Sequence, residues 1–325
     1  MKKLKIKIPS GANEIIHTLQ SNGYEAFLWG GAVRDSILGR PIHDYDITTS
    51  ATPDEMMEVF KDKKIIETGL QHGTITIVID GEGYECTTYR IDGNYSDSRR
   101  PDSVTFTRNL KEDLKRRDFT INAMAYNDEV GLVDPFNGME DIEHYKIRCV
   151  GRAGDRFSED ALRILRAIRF ASQLGFVVDS DVSLNIHKMY KNLENISIER
   201  INSEFCKIAL SSEFHIQIGL FREVFSLFIP EIKDMFGFQQ DNPYHIYDVW
   251  NHTVHAVQAY ECDCEPDLNP RDLITSLAVF FHDIGKPHCY QEGEDGIRHF
   301  KGHGKFSANM TDEIMKRLRF DNDTR

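Results

Sequence analysis

A glycine pair followed by two closely spaced aspartates is the feature that most constrains how this chain can fold. Gly30 and Gly31 follow a short apolar segment, and Asp44 and Asp46 come soon after them. Glycine has no Cβ, so a turn at this pair lets backbone amides approach a bulky anion. Residues 32–38 have a helical pattern, and the positive end of a helix dipole favours the same anion. The sequence therefore predicts a strand, a turn and a helix that together face a phosphate group.

The two aspartates are predicted to bind metal ions. If residues 44–48 are extended, side chains two positions apart share a face, so Asp44 and Asp46 point together. Two carboxylates at one point repel each other unless cations join them, and Mg²⁺ prefers oxygen ligands and bridges to phosphate. Two such ions can stabilise the attacking and the leaving oxygen of a phosphoryl transfer. Beside the glycine turn, this pattern indicates a nucleotidyl-transfer site.

A third carboxylate is expected from a β-hairpin further along the chain. Residues 74–79 and 84–89 have the pattern of strands, and the segment Asp-Gly-Glu-Gly at 80–83 is typical of a turn. This hairpin would place Glu85 beside the sheet as a further acid, and the alternative is an exposed strand residue. Each short motif alone favours an ordinary turn or helix cap, so the site rests on their combination.

The spacing of apolar residues predicts an α/β first half and an all-α second half. The helices predicted for the first half are 13–22 and 53–61. The strands predicted there are 26–29, 64–68, 74–80 and 84–90. From about Leu110 the pattern becomes helical, and a helix over 159–174 is expected to begin after Ser158 as its N-cap. The helices predicted beyond it are 183–193, 199–210, 214–228, 246–260, 271–282 and 307–319.

Composition and charge limit the classes of partner. The net charge of −13 over 325 residues argues against general nucleic-acid binding. Basic residues cluster at 99–100, at 115–117 and at Arg163, Arg166 and Arg169, so any RNA should be bound specifically and with salt sensitivity. The start of the chain lacks the apolar stretch of a signal peptide, and no segment is long enough to span a membrane. With six scattered cysteines, this predicts a cytoplasmic protein without a membrane partner.

Several longer motifs make the chain similar to one enzyme family. They are the glycine pair with its two aspartates, YECTTYR around Glu85, RRPDSVTF at 99–106, RRDFTINAM at 116–124, DPFNG at 134–138 and FSEDALR at 157–163. On these residues the chain resembles the class II tRNA nucleotidyltransferases, the CCA-adding enzymes of bacteria and eukaryotes, which share a head with bacterial poly(A) polymerases. The resemblance covers roughly residues 20–210. It implies addition of C, C and A to the tRNA 3′ end from CTP and ATP, without a nucleic-acid template and with Mg²⁺.

The resemblance also implies a role for individual residues. Asp44 and Asp46 would hold the Mg²⁺ ions, and Glu85 would complete the catalytic acids. Asp118 would accept a hydrogen bond from the ribose 2′-OH, the group that distinguishes RNA from DNA, with Asn122 as a helper one turn later on the same helix face. The nucleotide-binding residues implied are Gly30, Gly31, Arg34, Arg117, Asp118, Asn122, Asp160, Arg163 and Arg166.

In this family an aspartate and an arginine read the base, and here they are Asp160 and Arg163. Three positions apart in one predicted helix, they would present an acceptor and a forked donor to the same ligand. Cytosine and adenine each offer an amine donor beside a ring-nitrogen acceptor, whereas guanine and uracil would leave buried polar groups unpaired. The alternative is an ion pair within the helix.

The C-terminal part resembles the start of an HD-type metal phosphohydrolase domain. His252 ends the segment DVWNH, and His282 and Asp283 lie within FFHDIGKP. Two imidazoles and a carboxylate are suitable ligands for a divalent transition metal. That family ordinarily supplies a further aspartate downstream, and the chain ends before one; His299 and His303 lie nearby as alternative ligands. His245 could share the helix face of His252, although a lone histidine on such a face is more often structural.

We expect three domains: a nucleotidyltransferase head over 1–148, a helical neck for nucleotide selection and RNA binding over 149–235, and an incomplete HD-type domain over 236–325. The last helix stops without completing a domain, so the chain is interpreted as a fragment.

The uninterrupted RRPDSVTF segment favours addition of the whole CCA end over CC alone. The alternatives are a poly(A) polymerase-like enzyme, chiefly an HD-type phosphohydrolase, and a non-catalytic RNA-binding relative. The oligomeric state is not predicted.

Overall fold

The computed structural model describes residues 4–42, 44–93, 103–243, 245–265, 270–294 and 296–325. By its internal contacts the chain divides into two units, Met1–Asp160 and Ala161–Arg325. The first unit contains a mixed sheet with helices, and the second is mainly helical, which confirms the predicted fold class. The division of the second half into a neck and an HD-type domain stays a prediction.

The helices of the first unit are α1 Ser10–Ser21, α2 Gly31–Leu38, α3 Pro53–Val59, α4 Leu110–Lys115, α5 Gly138–Glu143 and α6 Ala153–Glu159. Its strands are β1 Ala26–Trp29, β2 Ile47–Thr49, β3 Lys64–Gly69, β4 Thr74–Ile79, β5 Glu82–Thr88, β6 Arg90–Asp92, β7 Val104–Phe106, β8 Ala125–Asn127, β9 Gly131–Val133 and β10 Lys146–Ile147.

Within the described residues, seven strands form one sheet in the order β3-β4-β5-β2-β1-β8-β9. Strand β2 runs antiparallel to β1 and parallel to β5. The hairpin between β4 and β5 turns at Asp80 and Gly81, both with positive φ, which is the geometry of a tight two-residue hairpin loop. Strand β5 therefore starts at Glu82, two residues earlier than the turn motif predicts.

The helical pattern predicted from Leu110 onward is wrong for β8 and β9, which extend the sheet. Both strands have only three residues, too few for an alternating pattern to stand out from a helical one. Strand β8 is wholly buried and pairs with β1. The sheet thus continues on the side of β1 that lies away from β2.

Helix α5 packs closely on the turn at residues 120–122 through Gly138. A Cβ built on Gly138 would lie 2.3 Å from the carbonyl oxygen of Thr120. Thr120 is held from a second side as well, because its hydroxyl donates to Asp141 at 2.5 Å. The close approach of α5 therefore fixes the backbone that leads from Asp118 to Asn122.

The helices of the second unit are α7 Leu162–Leu174, α8 Ser180–Met189, α9 Ile198–Ala209, α10 Phe214–Leu220, α11 Arg222–Phe228, α12 Val249–Asp263, α13 Leu273–Phe281, α14 Lys286–Cys289 and α15 His303–Arg317, and its short strands are β11 Val177–Val178, β12 Gln291–Glu292 and β13 Arg298–His299. Phe205 lies at the centre of an aromatic cluster, 5.6 to 6.2 Å in ring centroids from Phe214, Phe225, Phe228 and Phe280. The predicted helix 214–228 is two helices that meet at Phe221.

Across the described ranges, no helix is both long enough and apolar enough to cross a bilayer. All six cysteines are free thiols.

We expect Gly138→Ala to lower the free energy of unfolding by about 1–3 kcal/mol, because the added methyl group must push α5 away from Thr120. Thermal or urea unfolding measures the change. Gly219→Ala in α10 is the matched control, since a Cβ there meets nothing within 4 Å and the loss of unfolded-state entropy should stabilise the protein slightly. Equal stability of the Gly138 variant and the parent would contradict the close approach.

Candidate active site

Three carboxylates line one pocket where β2 and β5 run side by side. In this parallel pair, Ile47 lies opposite Cys86. Asp46 precedes Ile47 and Glu85 precedes Cys86, so the register places the two acids next to each other. Asp44 lines the same pocket, which has a volume of about 750 Å³. The structure therefore brings together the three acids that the sequence analysis selected.

The electrostatics of Asp46 show how crowded this pocket is. Burial, and then the negative charges of Glu85 and Asp44, raise the pKa of the Asp46 carboxyl to about 6, while Arg117 acts in the opposite direction. A divalent cation would reverse this balance, because it favours the ionised form of every carboxyl that faces it. The donors are all carboxylate oxygens, the ligands that suit Mg²⁺. The residues present therefore fit the metal that the sequence implies.

The glycine turn lies next to these acids and is held by the sheet. The Trp29 amide donates to the carbonyl oxygen of Asp46 at 3.2 Å. Gly30 has φ 67° and ψ −128°, a conformation that residues with a Cβ rarely adopt. Its amide donates to the Met124 carbonyl oxygen at 3.1 Å, so this N–H is already used. The helix that begins at Gly31 is consequently the part of the turn suited to an anion.

Asp118 and Asn122 are adjacent, although the turn that joins them is a 3-10 turn over Thr120–Asn122 and not the α-helix that the sequence analysis expected. The Asn122 amide group donates to Asp118 Oδ1 at 3.2 Å. Arg34 Nη1 donates to Asn122 Oδ1 at 2.6 Å. The structure thus joins three of the residues implied to bind nucleotide into one chain of hydrogen bonds.

Arg117 is buried within the first unit. Its guanidinium group lies 3.2 Å from the centre of the Trp29 ring and pairs with Asp113 at 2.7 Å. Burial lowers the pKa of Arg117 to about 10, against the effect of Asp113. Although burial raises the pKa of the Asp113 carboxyl, Arg117 and Arg116 lower it overall to about 2. Arg117 therefore brings a buried positive charge close to the acidic pocket, where it lowers the pKa of Asp46.

Sequence analysis missed Trp29 and Asp113, the two residues that hold Arg117. A signal for Asp113 was present, because an acid four residues before an arginine on a helix is a common pairing. No comparable signal existed for Trp29, which reaches Arg117 only through the fold of the sheet.

Asp160 and Arg163 do not lie in one helix, because the helix predicted over 159–174 begins only at Leu162 and the predicted N-cap, Ser158, lies inside α6. Helix α6 ends at Glu159, and Asp160 has an extended backbone with φ −141° and ψ 107°. Arg163 is the second residue of α7, and Arg166 lies one turn further along it. The helical argument that placed the pair on one face no longer applies. Their reading of the base stays a prediction. The CCA subtype also stays a prediction, because residues 99–102 of RRPDSVTF lie outside the described residues.

The second predicted site is assembled within the second unit. His252 on α12 and the pair His282 and Asp283 after α13 offer ligand atoms that all lie within 4.8 Å of one another. Asp283 Oδ2 is 3.3 Å from Nε2 of His252 and 3.1 Å from Nε2 of His282. His282 Nδ1 lies 2.7 Å from the Val279 carbonyl oxygen, so Nδ1 carries the proton and Nε2 is left for a metal. These donors fit a divalent transition metal.

Lys286 is a further member of this second site that sequence analysis missed. Its ammonium group lies 2.7 Å from Asp283 Oδ2 and also donates to Gln240 at 2.8 Å. Its position three residues after Asp283 was the available signal. Burial raises the pKa of Asp283, but hydrogen bonding to His282 and the charge of Lys286 lower it overall, well below its ordinary value. His303 Nε2 approaches the other oxygen, Asp283 Oδ1, at 3.4 Å.

Comparisons with known proteins agree with this arrangement. The family described as the poly(A) polymerase head domain matches residues 26–148. The chain is 48% identical over 226 residues to a CCA-adding enzyme of Latilactobacillus sakei subsp. sakei (strain 23K), covering 68% of this chain and 55% of that protein. It is 54% identical over 194 residues to a CCA-adding enzyme of Geobacillus thermodenitrificans (strain NG80-2), covering 60% of this chain and 48% of that protein. The chain thus spans about half the length of the curated relatives it matches.

A solved structure is similar over nearly the whole chain. The crystal structure of Bacillus stearothermophilus CCA-adding enzyme in complex with CTP matches with a TM-score of 0.59 and 31% identity, covering 94% of this chain and 81% of that chain.

Asp46→Asn should stabilise the metal-free protein at neutral pH. The folded-state pKa of Asp46, about 6, lies above its ordinary value of 3.8. The favourable contribution of this group is therefore complete below pH 3.8 and is lost as the pH rises through about 6. In EDTA at pH 7.5 we expect the variant to gain about 1–3 kcal/mol in free energy of unfolding, with little gain at pH 4.

Thermal unfolding with EDTA and then with Mg²⁺ measures this effect. Mg²⁺ should raise the Tm of the parent and leave the Tm of the Asp46 variant almost unchanged. Asp62→Asn, at an exposed acid outside the pocket, is the control. If both variants respond alike to pH and Mg²⁺, Asp46 is not part of a metal site.

Proposed function

This chain belongs to the class II tRNA nucleotidyltransferase family, and we propose that it adds C, C and A to the 3′ end of tRNA from CTP and ATP. The observation that carries the proposal is the pocket in which Asp44, Asp46 and Glu85 meet. Gly30 and Gly31 do not line this pocket, but the strand that leads into their turn bonds to Asp46 through Trp29. The CCA-adding enzymes to which the chain is similar, one of them in complex with CTP, support the choice of substrates.

In the proposed reaction the RNA 3′-hydroxyl attacks the α-phosphate of the bound nucleotide, and pyrophosphate leaves. Enzymes of this family use a divalent metal ion; Mg²⁺ on Asp44 and Asp46, with Glu85 as the third acid, would neutralise charge at the α-phosphate and at both reacting oxygens. The N-terminus of α2 faces the triphosphate, and the buried Arg117 limits the repulsion among the acids. The protein's contribution is thus positioning and electrostatic stabilisation.

We assign selection of the nucleotide to Asp118, Asp160, Arg163 and Arg166. Asp118 accepts a hydrogen bond from the ribose 2′-OH, and this contact favours ribonucleotides. Asp160 and Arg163 read the Watson–Crick edge of cytosine or adenine, and Arg166 contacts a phosphate. The protein itself then takes the place of a template. The cytoplasmic location expected from the sequence is part of this proposal.

Asp44→Ala and Asp46→Ala should each lower the rate of incorporation from CTP and ATP by at least about 10²-fold, because each removes a metal ligand that acts in the transition state. The measurement is extension of a tRNA that ends before CCA, resolved by product length. Glu82→Gln is the matched control, since Glu82 lines the same pocket without a proposed role.

The parent should stop after three added nucleotides, as the CCA proposal requires. A long adenylate tail would instead indicate a poly(A) polymerase-like enzyme. Full turnover in both aspartate variants would refute the assignment of the metal ligands.

A second candidate function, HD-type metal phosphohydrolysis, is favoured by one observation, the cluster of His252, His282 and Asp283. We expect the purified protein to retain Ni²⁺, Co²⁺ or Mn²⁺ by elemental analysis. His252→Ala should lower the retained metal by about 10-fold or more, because one ligand of few is lost. His255→Ala is the control, since that ring lies on the same helix but stacks on Tyr247.

A phosphodiesterase assay on the metal-loaded protein completes the test. Activity that depends on His252 and survives Asp46→Ala would establish a second function independent of the first. Metal retention equal to that of the parent in the His252 variant would remove the second candidate.

A further inference from the structure

We propose that Gln240 is a positioning residue of the second site: it holds the Lys286 ammonium group beside Asp283 and keeps it out of the place that a metal ion would take. Lys286 is then the cation that compensates Asp283 in the metal-free protein, and Gln240 prevents this cation from competing with the metal. The inference rests on the second candidate function, and it assigns both residues a role other than contact with metal or substrate.

Three acceptor atoms face one another at the second site. Nε2 of His252 lies 3.2 Å from Nε2 of His282, and Asp283 Oδ2 is 3.3 and 3.1 Å from the same two atoms. Because Nδ1 of His282 donates to a backbone carbonyl group, its Nε2 carries a lone pair in the neutral ring. Ligand atoms that each lie about 2.0–2.2 Å from one metal ion are roughly 3 Å apart. The space between the three atoms therefore suits a cation.

Lys286 supplies a positive charge next to this space. Its ammonium group lies 2.7 Å from Asp283 Oδ2, but it donates its well-aligned hydrogen bond to Gln240 Oε1 at 2.8 Å. Although His282 and Lys286 approach Oδ2 closely, no donor in the described ranges meets it with the alignment of a full hydrogen bond. A lone pair of Oδ2 therefore stays open to a metal ion while the charge of Asp283 is compensated.

The side-chain amide of Gln240 is fixed from both ends. An ammonium group can only donate, so the amide atom that faces Lys286 is the oxygen. The NH₂ group of Gln240 donates to the Tyr247 carbonyl oxygen at 3.0 Å, and a carbonyl oxygen can only accept. Both contacts require the same orientation of the amide, and Gln240 is only 1% exposed. Its oxygen is therefore presented to Lys286 in one direction.

The backbone on both sides of Gln240 is held by Arg298. The Arg298 guanidinium group donates to the Gln239 carbonyl oxygen at 2.6 Å, and the Arg298 backbone amide donates to the Asp241 carbonyl oxygen at 3.1 Å. The bond from the Gln240 amide to the carbonyl group just before α12 adds a third restraint. Because α12 carries His252, Gln240 is held at a fixed place relative to one of the metal ligands.

Gln240 determines which acceptor takes the hydrogen bond of Lys286. Lys286 is only 4% exposed, and a buried ammonium group requires partners that replace water. If Gln240 loses its acceptor, the ammonium group is expected to turn its hydrogen bond to Asp283 Oδ2, since an unmade bond at a buried donor is costly. A metal ion would then have to displace a buried cation from its own ligand. The affinity for the metal should therefore fall.

The experiment measures Co²⁺ binding to the metal-free protein at pH 7.5, by titration followed through the visible absorption of the bound ion. Binding that disappears in His252→Ala is assigned to this site. We expect Gln240→Met to raise the Kd for Co²⁺ about 10-fold, as for other residues that lie behind metal ligands. Lys286→Met should bind Co²⁺ at least as tightly as the parent, because the competing cation is gone.

A double-mutant cycle tests whether Gln240 acts through Lys286. Gln240→Met should raise the Kd only while Lys286 is present, so adding it to Lys286→Met should change the Kd no further. A merely structural role of Gln240 would weaken binding in both backgrounds.

Gln217→Met on α10 is the matched control. Gln217 is also a buried glutamine of the second unit, 4% exposed, and it does not line the pocket of about 460 Å³ that contains His252 and Asp283. Its substitution should leave the Kd for Co²⁺ as in the parent.

The outcomes separate this inference from the second candidate function. An unchanged Kd in folded Gln240→Met, or an equal loss in both backgrounds, overturns the inference while the metal site stands. If Gln240→Met does not fold, Lys286→Met decides: binding at least as tight as that of the parent supports the inference, and weaker binding overturns it. A parent that binds no Co²⁺ removes the second candidate function and this inference together, and the proposed transferase function, which uses other residues, is unaffected.

Discussion

The parallel pairing of β2 with β5 is the interaction on which the rest of this site depends. It brings Asp46 and Glu85 next to each other where β2 begins, and there their negative charges repel each other and burial makes the repulsion stronger. Arg117, a cation held between Trp29 and Asp113, partly offsets this repulsion. Conflicts of this kind mark functional positions, because a sequence selected only for stability would avoid them.

The parts of the site that could be predicted are those with a short-range cause. Strand β4 and its hairpin follow from alternating apolar residues and a turn with positive φ, and the glycine turn follows from the missing Cβ. Helix α3 begins at Pro53, as predicted, and Thr52 and Glu55 form a capping box at its start. By contrast, the break at Asp160 has no glycine or proline to mark it, and apolar periodicity runs through it without a change. The end of α6 at this point therefore could not be predicted from local sequence signals.

Residues that hold a functional side chain in place could not be predicted from the sequence for a different reason. The partners Trp29 and Arg117 are far apart along the chain, as are Arg34 and Asn122, and pairing at such separation depends on the sheet and not on local spacing. At the second site the histidines and Asp283 could be identified by residue type. Lys286 contacts the same oxygen of Asp283 as both histidines, and only the structure shows this contact. Motifs identify the groups that do chemistry, and the structure identifies the groups that hold them.

The hydrogen bond from the Gly30 amide to Met124 has a consequence for the energetics of substrate capture. The loop is already locked in shape by its own sheet before any ligand arrives. Its conformational entropy is lost once, during folding, and does not have to be lost again in each encounter with a substrate. A preorganised loop of this kind allows weak, rapid exchange of small molecules without loss of geometric accuracy, which suits the proposed use of two nucleotides in succession.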